Sequence, residues 1–298
     1  MAKRTLRQQA SAIVRSRTAL NPNDSKEKSA PGNYKVLQSI RSTNEVTLAL
    51  TKIAENLNVS RIKQITPEIA SIYLNEKRDN YASQKSLDRD RKALSIALGV
   101  TFPRVKAISE NILKSRAYNS VQIKAISQSM TDKNAISLKL AHEAGLRAHE
   151  LLTIKRSDEG QKSSSRTWTD KRFTGREGLV YIVTGKGGLV REVLLSHEMA
   201  GALEARRLEQ PVTKNDRGVN YLQRYDIGGG NALSSSFTRA SQRALGFSHG
   251  IHGVRHSYAQ ERIDEVKYAL KLSHEAAREI VAQELGHFRG DITDVYLR

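Results

Sequence analysis

The C-terminal end of the chain holds its densest chemistry. His252-Gly253-Val254-Arg255-His256 is followed by Leu285-Gly286-His287, and Tyr296 stands nine residues after His287. Upstream, Arg147 lies in Gly145-Leu146-Arg147-Ala148-His149-Glu150-Leu151, and Lys186 lies in Thr184-Gly185-Lys186-Gly187-Gly188. Arginine is a permanently charged, planar donor suited to phosphate oxygens. Histidine moves protons near neutrality. A tyrosine phenol, with an ordinary pKa near 10, acts as a nucleophile only if its proton has somewhere to go. In this order the set fits no metal site and no protease triad. It fits attack on a DNA phosphodiester by a phenol.

Taken one at a time, these residues have plainer readings. Arg147 alone reads as a surface ion pair with Glu150, three residues on. Lys186 at a turn reads as a solvated lysine. The Gly185-Lys186-Gly187-Gly188 string is not a P-loop, because no glycine stands five residues before Gly185 and no Ser or Thr follows the lysine. His252 and His256 are spaced i,i+4, but Gly253 stands where the metalloprotease motif has glutamate, and no acidic ligand is near. No metal and no cofactor are expected. What sets the residues apart is their joint order and spacing.

The elements that must position them divide the chain into three segments. Residues 1–33 form a polar, basic N-terminal tail, partly helical at best and then a linker, partly disordered. Residues 34–118 read as all helix. Val46 to Leu57 repeats apolar residues at helical spacing up to Asn58. Thr66-Pro67-Glu68 supplies an N-cap, a proline at the first helical position and an acid in the first turn. A helix from Ser83 ends near Gly99 and carries Lys85, Arg89, Arg91 and Lys92, which suit either a solvated face or DNA. Residues 119–298 form a second domain. In it, a helix from Thr131 stops at Gly145, and a further helix is expected to carry Arg147 in its first turns. A polar stretch over 157–176 includes Arg166, Lys171 and Arg172, candidates for DNA contact. Leu179–Leu195 reads as a β-hairpin around the glycine-rich turn that carries Lys186. From Ser196 onward helix is expected, broken at 226–231. The fold class is mainly α with a small β-sheet.

The 298 residues carry 49 Lys and Arg against 31 Asp and Glu, a formal charge of +18, and no cysteine. A soluble protein this basic ordinarily meets nucleic acid. The charge is spread along the chain, which disfavours a membrane surface. The absence of cysteine excludes disulfides, thiolate zinc sites and cysteine nucleophiles. There is no secretory signal and no apolar run of membrane-spanning length, so a cytoplasmic, nucleoid-associated location is expected.

The boxes together resemble the tyrosine recombinases, the phage-integrase type of site-specific DNA recombinase. The family's first arginine box corresponds to Gly145 through Leu151, its hairpin lysine to Lys186, its H-x-x-R-H box to His252-Gly253-Val254-Arg255-His256-Ser257-Tyr258-Ala259, and its L-G-H element and nucleophile to Leu285-Gly286-His287 and Tyr296. The resemblance covers the chain from about residue 140 to the end and is general over the helical segment. It implies a two-domain C-shaped clamp around double-stranded DNA, with a helical core-binding domain and an α+β catalytic domain. It also implies that Arg147 and Arg255 clamp the scissile phosphate with His287 as a further donor. Tyr296 attacks to give a 3′-phosphotyrosine, His252 accepts its proton, and Lys186 protonates the 5′-oxygen. Glu150 and His256 support the site. A homotetramer exchanging strands through a Holliday junction is implied, with an accessory DNA-bending protein as a possible partner and integration of a mobile element as the expected task. Only Leu297 and Arg298 follow the tyrosine, where family members often continue into a segment that docks on a neighbouring protomer; this leaves such a contact open. Two alternatives stand beside this one: DNA relaxation like that of a type IB topoisomerase, and a catalytically silent DNA-binding protein on the same fold.

Overall fold

The computed structural model describes residues 4–18, 37, 39–80, 83–108, 115–288 and 290–297. The chain divides into two compact units, residues 1–112 and 113–298. Residues 19–36, which include the expected linker, lie outside the described residues.

The first unit is helical. α1 (Leu6–Arg15) starts with a reciprocal capping box: Thr5 Oγ1 accepts from the Gln8 amide, and the Gln8 side chain accepts from the Thr5 amide. Ala10 and Val14 are buried in the unit's core, so this part of the expected tail is a packed element. α2 (Ile40–Asn56) buries Val46, Ala49, Leu50, Ile53 and Ala54, one helical stripe, and ends just before Asn58, whose φ is 52°. α3 (Pro67–Lys77) begins with Thr66 as N-cap, accepting from the Ile69 amide, and Pro67 in the first turn. α4 (Gln84–Leu98) runs from a Ser83 cap to Gly99 in the left-handed region. All three follow the sequence reading.

The second unit begins earlier than the expected break at 118/119. Tyr118 is 1% exposed in its core, and the Tyr118 amide donates to Ser257 Oγ at 2.8 Å. α5 (Ser120–Gln128) and α6 (Asp132–Glu143) lead to Gly145. Gly145 has a φ of 58°, and a Cβ there would lie 2.6 Å from the Tyr258 ring, so the turn requires glycine. The helix expected around Arg147 does not form. The chain makes one 3₁₀ turn, Glu150–Leu152, and passes into β1 (Lys155–Arg156). β1 pairs antiparallel with β2 (Leu179–Thr184), which pairs with β3 (Val190–Leu195) as the expected hairpin. α7 (His197–Glu204) follows.

A second hairpin replaces helix over the next segment. β4 (Arg207–Asp216) pairs with β5 (Val219–Tyr225) around Arg217 and Gly218, whose φ values are 52° and 81°. Two consecutive positive φ values make a primed turn suited to strand twist. β4 is almost wholly solvent-exposed, so its sequence lacks the apolar alternation that marks a strand. α8 (Gly230–Leu245), α9 (His252–Leu270), α10 (His274–Glu284) and the short α11 (Gly290–Thr293) complete the unit. One apolar cluster gathers α5–α8 and the three-stranded sheet; another joins α9, α10 and Tyr296.

Candidate active site

At the centre is a carboxylate. Glu150 is fully buried. Its Oε1 accepts from Arg147 Nη1 at 2.7 Å, and its Oε2 accepts from the Arg147 amide at 2.8 Å and from Arg191 Nη2 at 2.7 Å. Arg255 Nη1 lies 3.9 Å away. Burial alone would push the Glu150 carboxyl up; the guanidiniums of Arg191, Arg255 and Arg147 outweigh it and hold the group far below the carboxylate range.

Arg255, near the start of α9, is also fully buried. Its Nη1 and Nη2 donate to the carbonyls of Gly145 and Leu285. Burial and the neighbouring Arg147 lower its pKa to about 10. Arg147 is the more open of the pair, with its side chain 19% exposed. Its Nη2 lies 3.2 Å from His287 Nε2, and Arg255 Nη2 lies 3.4 Å from the same nitrogen. Burial, Arg255 and Arg147 push the His287 pKa down to about 3, so the ring is neutral at physiological pH. A nitrogen facing two guanidiniums presents its lone pair, which assigns the ring proton to Nδ1.

Tyr296 ends a 3₁₀ turn, Asp294–Tyr296, and is 6% exposed. The turn is tied down at both ends: Gln260 Nε2 donates to the Tyr296 carbonyl at 3.0 Å, and Arg278 pairs with Asp294 at 2.8 Å. The phenol oxygen lies 3.4 Å from His287 Nε2. Around the ring stand His256, His252 and His287, with centroids at 4.8, 5.4 and 5.8 Å, and the Arg255 guanidinium at 5.5 Å. Burial, with Arg255 next, lowers the His252 pKa to about 4. His287, expected as a phosphate donor, is the ring in contact with the phenol oxygen, while His252, expected as the proton acceptor, meets Tyr296 ring to ring.

Lys186 sits on the tip between β2 and β3, exposed to solvent, with Gly187 and Gly188 both at positive φ. It borders a cleft of about 330 Å³ together with Arg147, Arg191, Gly286 and His287. Three cations, Arg147, Lys186 and Arg191, thus share one opening with His287 and the Glu150 carboxylate, and the Tyr296 oxygen touches His287. Such a site suits an anionic, tetrahedral group more than a neutral substrate.

The sequence model of the integrase family matches residues 102–261, more than half of the chain and inclusive of Arg147, Lys186 and the His252–His256 box. The chain belongs to the integrase family. Solved structures similar to this integrase include the XerH site-specific recombinase bound to palindromic difH substrate in a post-cleavage complex (16% identity, TM-score 0.55, covering 100% of this chain and 94% of that one). The Tn1549 transposon integrase in complex with transposon right-end DNA is also similar (12%, 0.55, 99% and 95%), as is a lambda integrase tetramer bound to a Holliday junction (16%, 0.56, 99% and 78%). No curated protein sequence matches the chain significantly. The integrase has the tyrosine recombinase fold and is a DNA breaking-and-rejoining enzyme.

Among the basic residues considered for DNA contact, the integrase separates surface cations from structural ones. Lys85, Arg89 and Lys92 are exposed on α4 at i, i+4 and i+7, on one face, with Arg89 paired to Asp90 at 3.0 Å. Arg91 instead donates to Asp88 at 3.3 Å and to the Phe102 carbonyl at 3.0 Å, closing the end of the unit. Arg166 and Lys171 are exposed. Arg172 is a correction: its side chain is 6% exposed, donates to Glu192 at 2.6 Å and lies 4.7 Å over the Trp168 ring. The segment 157–176 is consequently a strap packed on the second unit rather than a free loop. The Thr169 amide donates to Gln283, and the Phe173 amide donates to Glu284.

Sequence reasoning overlooked Arg191. Residues Arg191, Val193 and Leu195 occupy the inward positions of β3. A charged residue in the inward register of a strand is the available signal, but Leu189-Val190-Arg191-Glu192-Val193-Leu194-Leu195 is apolar enough on both registers to hide it.

Proposed function

We propose that this integrase is a site-specific recombinase that cuts and rejoins DNA through a 3′-phosphotyrosine formed on Tyr296. The observation that carries the proposal is the placement of the phenol oxygen against a neutral histidine inside a double-arginine cluster. In the forward step the Tyr296 oxygen bonds to phosphorus and the bond from phosphorus to the 5′-oxygen breaks. The phenolic proton passes to a neutral histidine: His287 has the contact, and His252 stands next to it. Arg147 and Arg255 offset the charge that develops on the phosphoryl oxygens. Lys186 gives a proton to the departing 5′-oxygen. The new ester keeps the bond energy of the old one, so a second 5′-hydroxyl reverses the step without ATP.

The same reading extends to the assembly. Two domains, residues 1–112 and 113–298, would clamp duplex DNA, with Lys85, Arg89, Lys92, Arg166 and Lys171 on phosphates. Four protomers would exchange strands through a Holliday junction, with an accessory bending protein where the site requires one. Insertion of a mobile element is the task we favour, in a nucleoid-associated setting. The structures of XerH on difH, of the Tn1549 integrase on transposon DNA and of the lambda integrase tetramer on a junction support this reading by their fold.

The test is covalent trapping. The full chain is incubated with nicked suicide duplexes tiled from the DNA flanking its own gene and run on a denaturing gel. Wild type should form an adduct. Tyr296→Phe should bind the same duplex and form none. An undiminished adduct with Tyr296→Phe would remove the nucleophile from this mechanism.

A further inference from the structure

Arg191 is 1% exposed, and both of its terminal guanidinium nitrogens are engaged within the protein, between the parts of the site expected to meet a substrate. Its Nη2 donates to Glu150 Oε2 at 2.7 Å, and its Nη1 donates to the Glu284 carbonyl at 2.8 Å. The residue after Glu284 is Leu285, whose carbonyl accepts from Arg255, and two residues further on stands His287. At the turn between them, Gly286 has a φ of 73°, and a Cβ there would lie 3.0 Å from Arg191 Cδ. One guanidinium therefore bridges the first arginine box and the L-G-H turn. It projects from β3, the strand that follows the Lys186 tip.

We propose that Arg191 is a positioning residue for the phosphate-binding cluster, an assignment that rests on the recombinase reading above. The charges around Glu150 give the reason. Its Oε2 is satisfied by Arg191 and the Arg147 amide, while Arg255 Nη1 waits 3.9 Å away on the Gly145 carbonyl. Without Arg191, Arg255 is the nearest cation able to fill that place. A move toward Glu150 would draw Arg255 off Gly145 and Leu285 and release the backbone that carries His287. Arg191 thus keeps the carboxylate occupied so that Arg255 stays in register with His287. Among the described residues the Nε of Arg191 is buried without a hydrogen-bond partner, a cost set against its ion pair with Glu150.

The experiment compares Arg191→Met, Arg191→Lys and wild type as full chains, with two readouts. One is the single-turnover rate of adduct formation on the suicide duplexes, alongside duplex affinity and thermal melting. The other is binding of inorganic phosphate, followed by NMR on the His287 ring. Arg191→Met should melt below wild type yet stay folded and bind duplex, and, measured below its melting temperature, cleave roughly 100-fold more slowly, the penalty of a misplaced reacting group. It should also bind phosphate several-fold more weakly. Arg191→Lys restores the charge but reaches only one of the two partners, so it should recover part of the rate. Wild-type cleavage and phosphate binding by Arg191→Met would overturn the proposal. Failure of both variants to fold would also overturn it, making Arg191 a stability residue. If wild type forms no adduct on any tile, the recombinase reading fails by itself, and the phosphate readout still decides the role of Arg191.

Discussion

Two sources of positive charge serve the site, and they are built in opposite ways. Arg147 and Arg255 are set around a buried carboxylate, locked by backbone carbonyls and by Arg191. Lys186 stands on an exposed glycine tip with two positive-φ residues beside it. On the mechanism proposed above, the difference follows from timing. Charge that must already be in place when phosphorus becomes crowded is worth most when it cannot relax. A proton that must reach a leaving oxygen late in the step needs a carrier able to move, and the long, flexible side chain of a lysine on an exposed tip meets that need. Burial makes the first arrangement costly: guanidiniums taken out of water require a fixed anion, and Glu150 is that anion.

Removing the anion should break the buried side of this contrast most strongly. Glu150→Gln leaves Arg147, Arg191 and Arg255 clustered without a counter-charge, and chemical denaturation should register a loss of about 3–5 kcal/mol, with cleavage abolished. Next in size, Lys186→Ala should leave the melting curve unchanged while slowing cleavage by roughly 10²–10⁴. A duplex with sulfur in place of the 5′ leaving oxygen should restore most of that rate, since sulfur departs without a proton; no rescue would move Lys186 to a binding role.

A smaller effect distinguishes the neutral histidines from ordinary ones. The pKa values of His287 and His252 are lowered to about 3 and about 4 from an ordinary 6.5. Below 6.5 the unfolded chain takes up protons that these rings refuse in the folded state, so their linkage contribution to stability is lost as pH falls from 6.5 toward 4. The cleavage rate, corrected for folded protein, should show no inflection at 6.5. An inflection there would mean that the proton acceptor is an unperturbed histidine. The smallest expected change separates surface from structural cations. Arg166→Ala or Lys171→Ala should each lower the slope of log affinity against log salt by about 0.9. Arg172→Ala should leave that slope alone and lower the melting temperature, because its guanidinium pairs with Glu192 and stacks on Trp168.

Much of this was legible in the residues. Capping signals located α3 and α4 to within a residue or so, because Thr66-Pro67 and Ser83 act locally and Gly99 tolerates the left-handed turn that ends a helix. The β2–β3 hairpin was legible because β-rich runs flank a glycine turn. The β4–β5 hairpin was not: a strand exposed over nearly its whole length shows no alternation, and its turn at Arg217-Gly218 was the single cue. Arg172 and Arg166 stand six residues apart in the same polar stretch, and nothing local says that one folds under Glu192 while the other faces water.

By itself the sequence singled out a candidate reactive set, Arg147, Lys186, His252, Arg255, His287 and Tyr296, because order and residue type survive in one dimension. Tertiary structure decided how those groups are charged and which of them touch. Glu150 becomes a common counter-ion only when residues 147, 191 and 255 converge on it. His287 becomes neutral only when burial and two guanidiniums surround it. Desolvation and Coulomb interaction depend on distance through space, and distance along the chain does not encode them.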